Sequence, residues 1–110
     1  MSYSTVAEVR AIIDTDMTDP EIQTRINMTD QRINMQVNQG SLNAIFLADM
    51  SSTGTAYRCM LKDPNARGLG EYSERRDVTM RLLKEEIDDM FELASGGMSF
   101  TPASESLGDD

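Results

Sequence analysis

The stretch TDPE at positions 18 to 21 is the feature that most constrains how this chain folds. The Thr18 hydroxyl can cap a helix, Pro20 stands in the first turn, where its missing N–H is harmless, and Glu21 can bond back to the cap. After this start, one set of residues recurs every three or four positions: Ile22, Ile26, Thr29, Ile33 and Val37. That spacing predicts a long amphipathic helix. Gly40 is its expected end.

A second capping box, Thr5 with Glu8, predicts a short helix near the start of the chain. We expect this helix to stop near Asp14. The residues on its apolar stripe are Val6, Val9, Ile12 and Ile13.

The middle of the chain predicts two more helical segments. Residues 41–50 are apolar and favour a short helix, and the sequence SSTG supplies caps for a regular helix from about Thr53 to Lys62, closed by Pro64. Its inward-facing residues are expected to be Ala56, Cys59 and Met60. The next stretch, DPNARGLGEYS, has the composition of a loop.

A long final helix is predicted after Ser73, which can cap it, with an end at residues 95–97. Its apolar stripe contains Val78 or Thr79, Leu82, Leu83, Ile87, Met90, Phe91 and Ala94. On its outer face we expect two ion pairs at a spacing of four residues, worth about 0.3 kcal/mol each: Arg81 with Glu85, and Lys84 with Asp88. The sequence therefore predicts an all-α fold, a small bundle of about four helices, over residues 1–97.

Few residues suit catalysis, and none suggests a cofactor. The chain has no His, and its single cysteine, Cys59, stands between apolar neighbours and is expected to fill the core. The acidic cluster KEEIDD favours a solvated helix face over an acid–base pair. We therefore expect no enzymatic activity.

Metal binding is also not expected. Asp14, Asp16 and Asp19 lie close together, which suggests calcium. A calcium loop of the helix-loop-helix type would need Gly and Glu where this chain has Asp19 and Arg25. A capping and turn role is the simpler interpretation.

Charge and core size restrict the partners. The net charge of −9 argues against tight binding to nucleic-acid phosphates, although an acidic surface can keep DNA from adhering to it. The chain has nine Met, no Trp and one Cys, so oligomerisation is the remaining route to extra stability for a modest core. No apolar stretch is long enough for a membrane helix and no signal peptide is visible, so we expect a soluble protein that is not secreted.

The last residues, 98–110, have a different pattern. Met98, Phe100 and Pro102 alternate with polar residues, and residues 103–110 contain one large apolar side chain, Leu107, and three acids. Such a segment cannot bury enough surface to order itself alone. We predict an extended C-terminal arm.

The order of these segments resembles the head–tail connector (adaptor, or head-completion) proteins of tailed viruses. The stretches that carry the resemblance are YSTVAEVRAII, DMTDPEIQTRINMTDQRIN and SESLGD. The resemblance implies a ring, commonly of twelve copies, that binds beneath the portal protein, continues the channel for the genomic DNA and meets the next neck or tail component. The protein would then be made in the host cytoplasm and lie in the neck of the virion.

The resemblance also implies that the arm binds the portal, where an extended segment can add a strand to a sheet edge. Phe100 and Leu107 would be anchors, Pro102 would stiffen the arm, and Ser104 and Ser106 would be compatible with close backbone pairing. The alternative for the arm is a frayed terminus without a partner.

Two other functions remain open from the sequence. The charge of −9 also suits an acidic protein that mimics DNA and blocks a nucleic-acid enzyme. A small helical interaction module in a host complex is the other alternative.

Overall fold

Four α-helices and one short antiparallel strand pair make up the part of the chain that the computed structural model describes, residues 2–37, 43–72 and 75–96. The helices are α1 (Val6–Arg10), α2 (Asp19–Gln36), α3 (Ala44–Lys62) and α4 (Arg76–Gly96). The strands are β1 (Ile13–Asp14) and β2 (Arg67–Gly68), followed by a 3-10 turn at Gly70–Tyr72. The predicted all-α bundle is confirmed. The predicted boundary between residues 97 and 98 and the arm beyond it lie outside the described ranges.

Both predicted capping boxes are present. The Thr5 hydroxyl accepts from the Glu8 N–H at 3.2 Å, and the Glu8 carboxylate accepts from the Thr5 N–H at 2.8 Å. In the second box, the Thr18 hydroxyl accepts from the Glu21 N–H at 3.4 Å, and the Glu21 carboxylate accepts from the Thr18 N–H at 2.8 Å. The Thr18 hydroxyl also donates to the Glu21 carboxylate at 3.1 Å, and the hydrogen bonds from the Thr18 N–H and hydroxyl lower the pKa of Glu21 below its ordinary value.

Helix α2 follows its predicted stripe and ends earlier than expected. All five stripe residues from Ile22 to Val37 are buried. The helix ends at Gln36, because Val37 takes an extended conformation with φ −133° and ψ 157°. The predicted end, Gly40, is not among the described residues.

Helix α3 corrects the prediction of two separate helices in the middle of the chain. One continuous helix of 19 residues begins after Asn43, whose side chain accepts from the Phe46 N–H at 2.7 Å. The Ser and Thr residues that suggested a new start lie inside this helix and are buried. The Ser51 hydroxyl donates to Asp30 of α2 at 2.6 Å, the Ser52 hydroxyl donates to the Asp49 carbonyl of α3 itself at 3.3 Å, and the next residue, Thr55, donates to Thr29 of α2 at 3.2 Å. Tertiary packing therefore overrides their preference for helix starts.

The first helix is shorter than predicted, because its expected last turn is a strand. α1 ends at Arg10, and Ile13 and Asp14 pair with Gly68 and Arg67 of the predicted loop. Ile13 is 1% exposed, so the strand pair holds it in the core. A Cβ on Gly68 would stand 1.9 Å from the Tyr72 carbonyl oxygen, so the turn after β2 requires glycine there.

Helix α3 packs against α1, α2 and α4, and two buried clusters lie along it. The first cluster includes the predicted core residue Cys59, which is fully buried, and burial raises the pKa of its thiol to about 11. The second cluster joins the later part of α2 and the start of α3 to the end of α4. None of the helices within the described ranges is long and apolar enough to cross a membrane.

A polar network fastens the N-terminal residues to the bundle. Asp30 is not part of the predicted apolar stripe of α2, but it is only 8% exposed. Its carboxylate accepts from the Tyr3 N–H at 3.0 Å and from the Ser51 hydroxyl at 2.6 Å. Ser51 also shares a 2.6 Å hydrogen bond with the Ser4 hydroxyl. Burial of the carboxylate is possible because these donors replace water.

Candidate protein-interaction surfaces

The five residues predicted to bind a portal protein lie outside the described residues. They are Phe100, Pro102, Ser104, Ser106 and Leu107. The surfaces described below belong to the helical bundle.

A basic groove runs between α2 and α3. Its lining residues are Arg25 and Met28 from α2 with Arg58, Leu61 and Lys62 from α3, around a depression of about 250 Å³. Arg58 and Leu61 also line an adjoining hollow of about 200 Å³ that extends toward Phe91 on α4. The two hollows therefore form one groove across three helices.

The spacing of residues along the two helices produces this groove. Arg25 and Met28 are one turn apart on α2, as Arg58 and Leu61 are on α3, so each pair lies on one helix face. Gly54 brings the helices close together, since a Cβ there would be 2.8 Å from the Thr29 methyl carbon and 3.3 Å from Ile87 Cδ1. The close approach sets the two faces side by side.

The cations of the groove make no ion pairs within the part of the chain that the structure describes, although Arg25 and Lys62 are close enough to Glu21 to help lower its pKa. Five basic residues elsewhere on the described surface make ion pairs: Arg10, Arg67, Arg75, Arg81 and Lys84. Arg25, Arg58 and Lys62 make none with the described acidic residues. Burial and the nearby guanidinium groups of Arg32 and Arg25 lower the pKa of Arg58. Positive charge is thus concentrated at one place in a chain whose net charge is −9.

Apolar and aromatic groups accompany these cations. Met28 is 44% exposed and Leu61 is 57% exposed. The Arg32 guanidinium lies 4.1 Å from the centre of the Phe91 ring. Exposed apolar side chains beside Arg are typical of protein interfaces.

An acidic patch lies between α1 and the start of α3. Glu8, Ile45 and Asp49 stand around a depression of about 420 Å³ whose other lining residues are Ala11, Ile12, Ala48 and Ser52. Ile45 is 83% exposed. The patch therefore has an exposed apolar centre and two carboxylates, the reverse of the charge in the basic groove.

The two surfaces lie on opposite sides of α3. Ile45 and Leu61 are separated by about four and a half turns, which places their side chains about 160° apart around the axis and about 24 Å apart along it. One rigid helix thus presents an acidic surface in one direction and a basic surface in nearly the opposite direction.

Several carboxylates of the other acidic clusters are paired with cations. Both predicted ion pairs of α4 are present, with Arg81 and Glu85 at 3.7 Å and Lys84 and Asp88 at 2.7 Å. Asp88 raises the pKa of Lys84 through this hydrogen bond. Of the three predicted turn aspartates, Asp19 pairs with Arg10 at 2.7 Å and Asp14 lies 3.7 Å from Arg67.

The sequence prediction missed both the basic groove and the acidic patch. Each helix alone shows a few charged residues at helical spacing, which is the ordinary pattern of an exposed face. The signal becomes visible only when α2 and α3 are paired.

Comparison with models of known protein families, with curated proteins and with solved structures gave no match.

Proposed function

We propose that this protein is a structural subunit of a tailed virus, a head–tail adaptor that forms a ring beneath the portal and has no catalytic role. The observation that carries the proposal is the pair of oppositely charged surfaces on opposite sides of α3, each with an exposed apolar side chain. A subunit with two different binding surfaces can join copies head to tail, and such contacts close into rings when the rotation between copies permits.

The more specific identity, a head–tail adaptor, rests on the resemblance of the helix order and of the segments ending in SESLGD to that family. On this proposal about twelve copies surround the channel, a number that comes from the resemblance alone. The net charge of −9 suits a channel wall that DNA must pass without adhering. The ring would contact the portal on one side and the next neck or tail component on the other.

Residues 98–110 are proposed to bind the portal, with Phe100 and Leu107 as anchors. The two buried clusters described within the bundle are built from residues between Val9 and Ala94, which supports a core that folds without the arm. A partner that supplies a sheet edge would satisfy the backbone of the arm and give its apolar side chains a place to be buried.

Deletion of residues 98–110 tests this assignment. We expect the shortened protein to keep its helical circular dichroism and urea midpoint, while its binding to isolated portal falls to background in a pull-down. The exchange of Asp109 and Asp110 for asparagine serves as a matched control, because it keeps the length of the arm and all five predicted portal-binding residues. Normal portal binding by the shortened protein would contradict the role of the arm.

The alternative of a DNA mimic is less well supported by the bundle. A mimic needs a continuous negative surface, whereas the cations of the basic groove interrupt it and two α4 carboxylates are paired with cations. A mimic would bind a basic host protein with a steep dependence on salt. A pull-down from host extract at low and high salt distinguishes a mimic from an adaptor.

A further inference from the structure

We propose that the basic groove of one copy binds the acidic patch of a second copy of this chain, with Leu61 of the first copy packed against Ile45 of the second. This contact would be the repeating interface of the assembly. It deepens the proposed function and rests on it, since it specifies which surfaces join the copies in the ring.

Charge complementarity is the first reason for this choice of partner. The groove gathers Arg25, Arg58 and Lys62 without ion-pair partners on the described surface, and the patch offers the carboxylates of Glu8 and Asp49. The Glu8 carboxylate already accepts from the Thr5 N–H at 2.8 Å, but it can accept further hydrogen bonds from an arginine. Complementary charges at a contact raise the rate of association, and they disfavour other orientations because like charges would then meet.

Apolar complementarity is the second reason. Leu61 and Met28 are exposed in the groove, and Ile45 is exposed in the patch. These side chains lose contact with water when the two surfaces meet, while the charged groups remain around them. An apolar centre with a polar rim is the usual anatomy of a protein interface.

The direction of the two surfaces is the third reason. Because they lie about 160° apart around α3, each copy can bind one neighbour through its groove and another through its patch. Such a contact is heterologous and continues from copy to copy, as a ring requires. A two-fold dimer, in which the same surface meets itself, would place the groove cations against each other.

Duplex DNA is the other possible occupant of a basic groove. The exposed Leu61 and Met28 between the cations do not match a phosphate backbone, and the net charge of −9 opposes it. A second copy, which carries the complementary patch, therefore fits better.

Charge reversal tests the pairing. The groove variant carries Arg25→Glu and Lys62→Glu, and the patch variant carries Glu8→Gln, which keeps the capping box, and Asp49→Lys. In sedimentation experiments each variant alone should self-associate about 100-fold more weakly than the wild type, because each reversal removes attraction and adds repulsion at one interface. An equal mixture of the two should recover assembly, since the altered groove then meets the altered patch.

A matched control carries Arg67→Glu and Arg75→Glu, which changes the net charge by the same amount as the groove variant but lies outside both surfaces. It should assemble as the wild type does. Unchanged assembly of the groove variant, or a wild-type protein that stays monomeric at its highest attainable concentration, would overturn the pairing. Duplex DNA binding that the groove variant loses, with self-association unaffected, would assign the groove to DNA instead and would also overturn it.

Cross-linking provides a second test that does not depend on charge. A short bis-maleimide should join Ile45→Cys to Leu61→Cys in a mixture of the two single variants and give a ladder of higher oligomers with the double variant. The native Cys59 is fully buried and its thiol pKa is about 11, so the wild type should not react. Dimers within either single variant alone, or no cross-linking in the mixture, would contradict the head-to-tail contact.

The two proposals can fail separately. Groove-to-patch cross-links without any binding to portal would support the pairing and contradict the adaptor function. Portal binding by the wild type together with absent groove-to-patch cross-links on the portal would support the adaptor function and overturn the pairing.

Discussion

Replacing Gly54 with leucine is expected to lower the free energy of unfolding by about 3 kcal/mol or more. Gly54 lies where α2, α3 and α4 meet, and even a Cβ there would stand 2.8 Å from the Thr29 methyl carbon and 3.3 Å from Ile87 Cδ1. Thr29 is 1% exposed and Ile87 is 2% exposed, so a leucine at position 54 would have to displace buried side chains of both neighbouring helices. A small domain has a total stability of only about 5–15 kcal/mol, so the variant should unfold at much lower urea.

Urea unfolding followed by circular dichroism measures this loss. The matched control is Ala44→Leu, which adds a leucine to an exposed position of the same helix and should change the stability by less than about 0.5 kcal/mol. If Gly54→Leu unfolds at the same urea concentration as the wild type, the three helices do not pack at this glycine.

The second large effect is expected at Asp30. Asp30→Ala removes the buried carboxylate that accepts from the Tyr3 N–H and from the Ser51 hydroxyl, and it leaves both donors without this partner. Hydrogen bonds to a charged group contribute about 1.5–3 kcal/mol each, so we expect a loss of about 3 kcal/mol in the free energy of unfolding. The N-terminal residues should also detach from α2, which would appear as faster hydrogen exchange at the Tyr3 amide.

Asn34→Ala is a matched control for this prediction. It removes the acceptor of the Tyr3 hydroxyl, but that hydrogen bond is exposed and its loss should cost less than about 1 kcal/mol. Equal stability losses for Asp30→Ala and Asn34→Ala would show that the buried network contributes nothing beyond an ordinary surface contact.

The helical parts of the fold could be predicted because their signals are local. The capping boxes at Thr5 and Thr18 depend on residues three apart, and the stripe from Ile22 to Val37 depends on one helical period. The same is true of the α4 ion pairs. None of these features requires knowledge of a distant partner.

The predictions of secondary structure were wrong where the conformation depends on contacts with residues far away in the sequence. Ile13 belongs to a strand because β2, more than fifty residues later, pairs with it. The Ser and Thr residues of SSTG continue a helix because α2 supplies hydrogen-bond partners for Ser51 and for the adjoining Thr55. Asp30 is buried for the same reason. Local propensity could not reveal these contacts.

The interaction surfaces were beyond local prediction too. Arg25 and Arg58 are more than thirty residues apart in the chain and meet only because α2 and α3 pack together. That neither guanidinium makes an ion pair with an acidic residue of the described ranges is also a property of the folded surface. The proposed portal-binding residues remain a prediction from the sequence resemblance.

The most direct test of the proposed role is electron microscopy of the purified full-length chain mixed with its portal. We predict a closed ring of this protein seated on the portal, with neighbouring copies joined from basic groove to acidic patch. Single copies scattered on the portal, or no density for this protein at all, would contradict the role of a ring-forming adaptor.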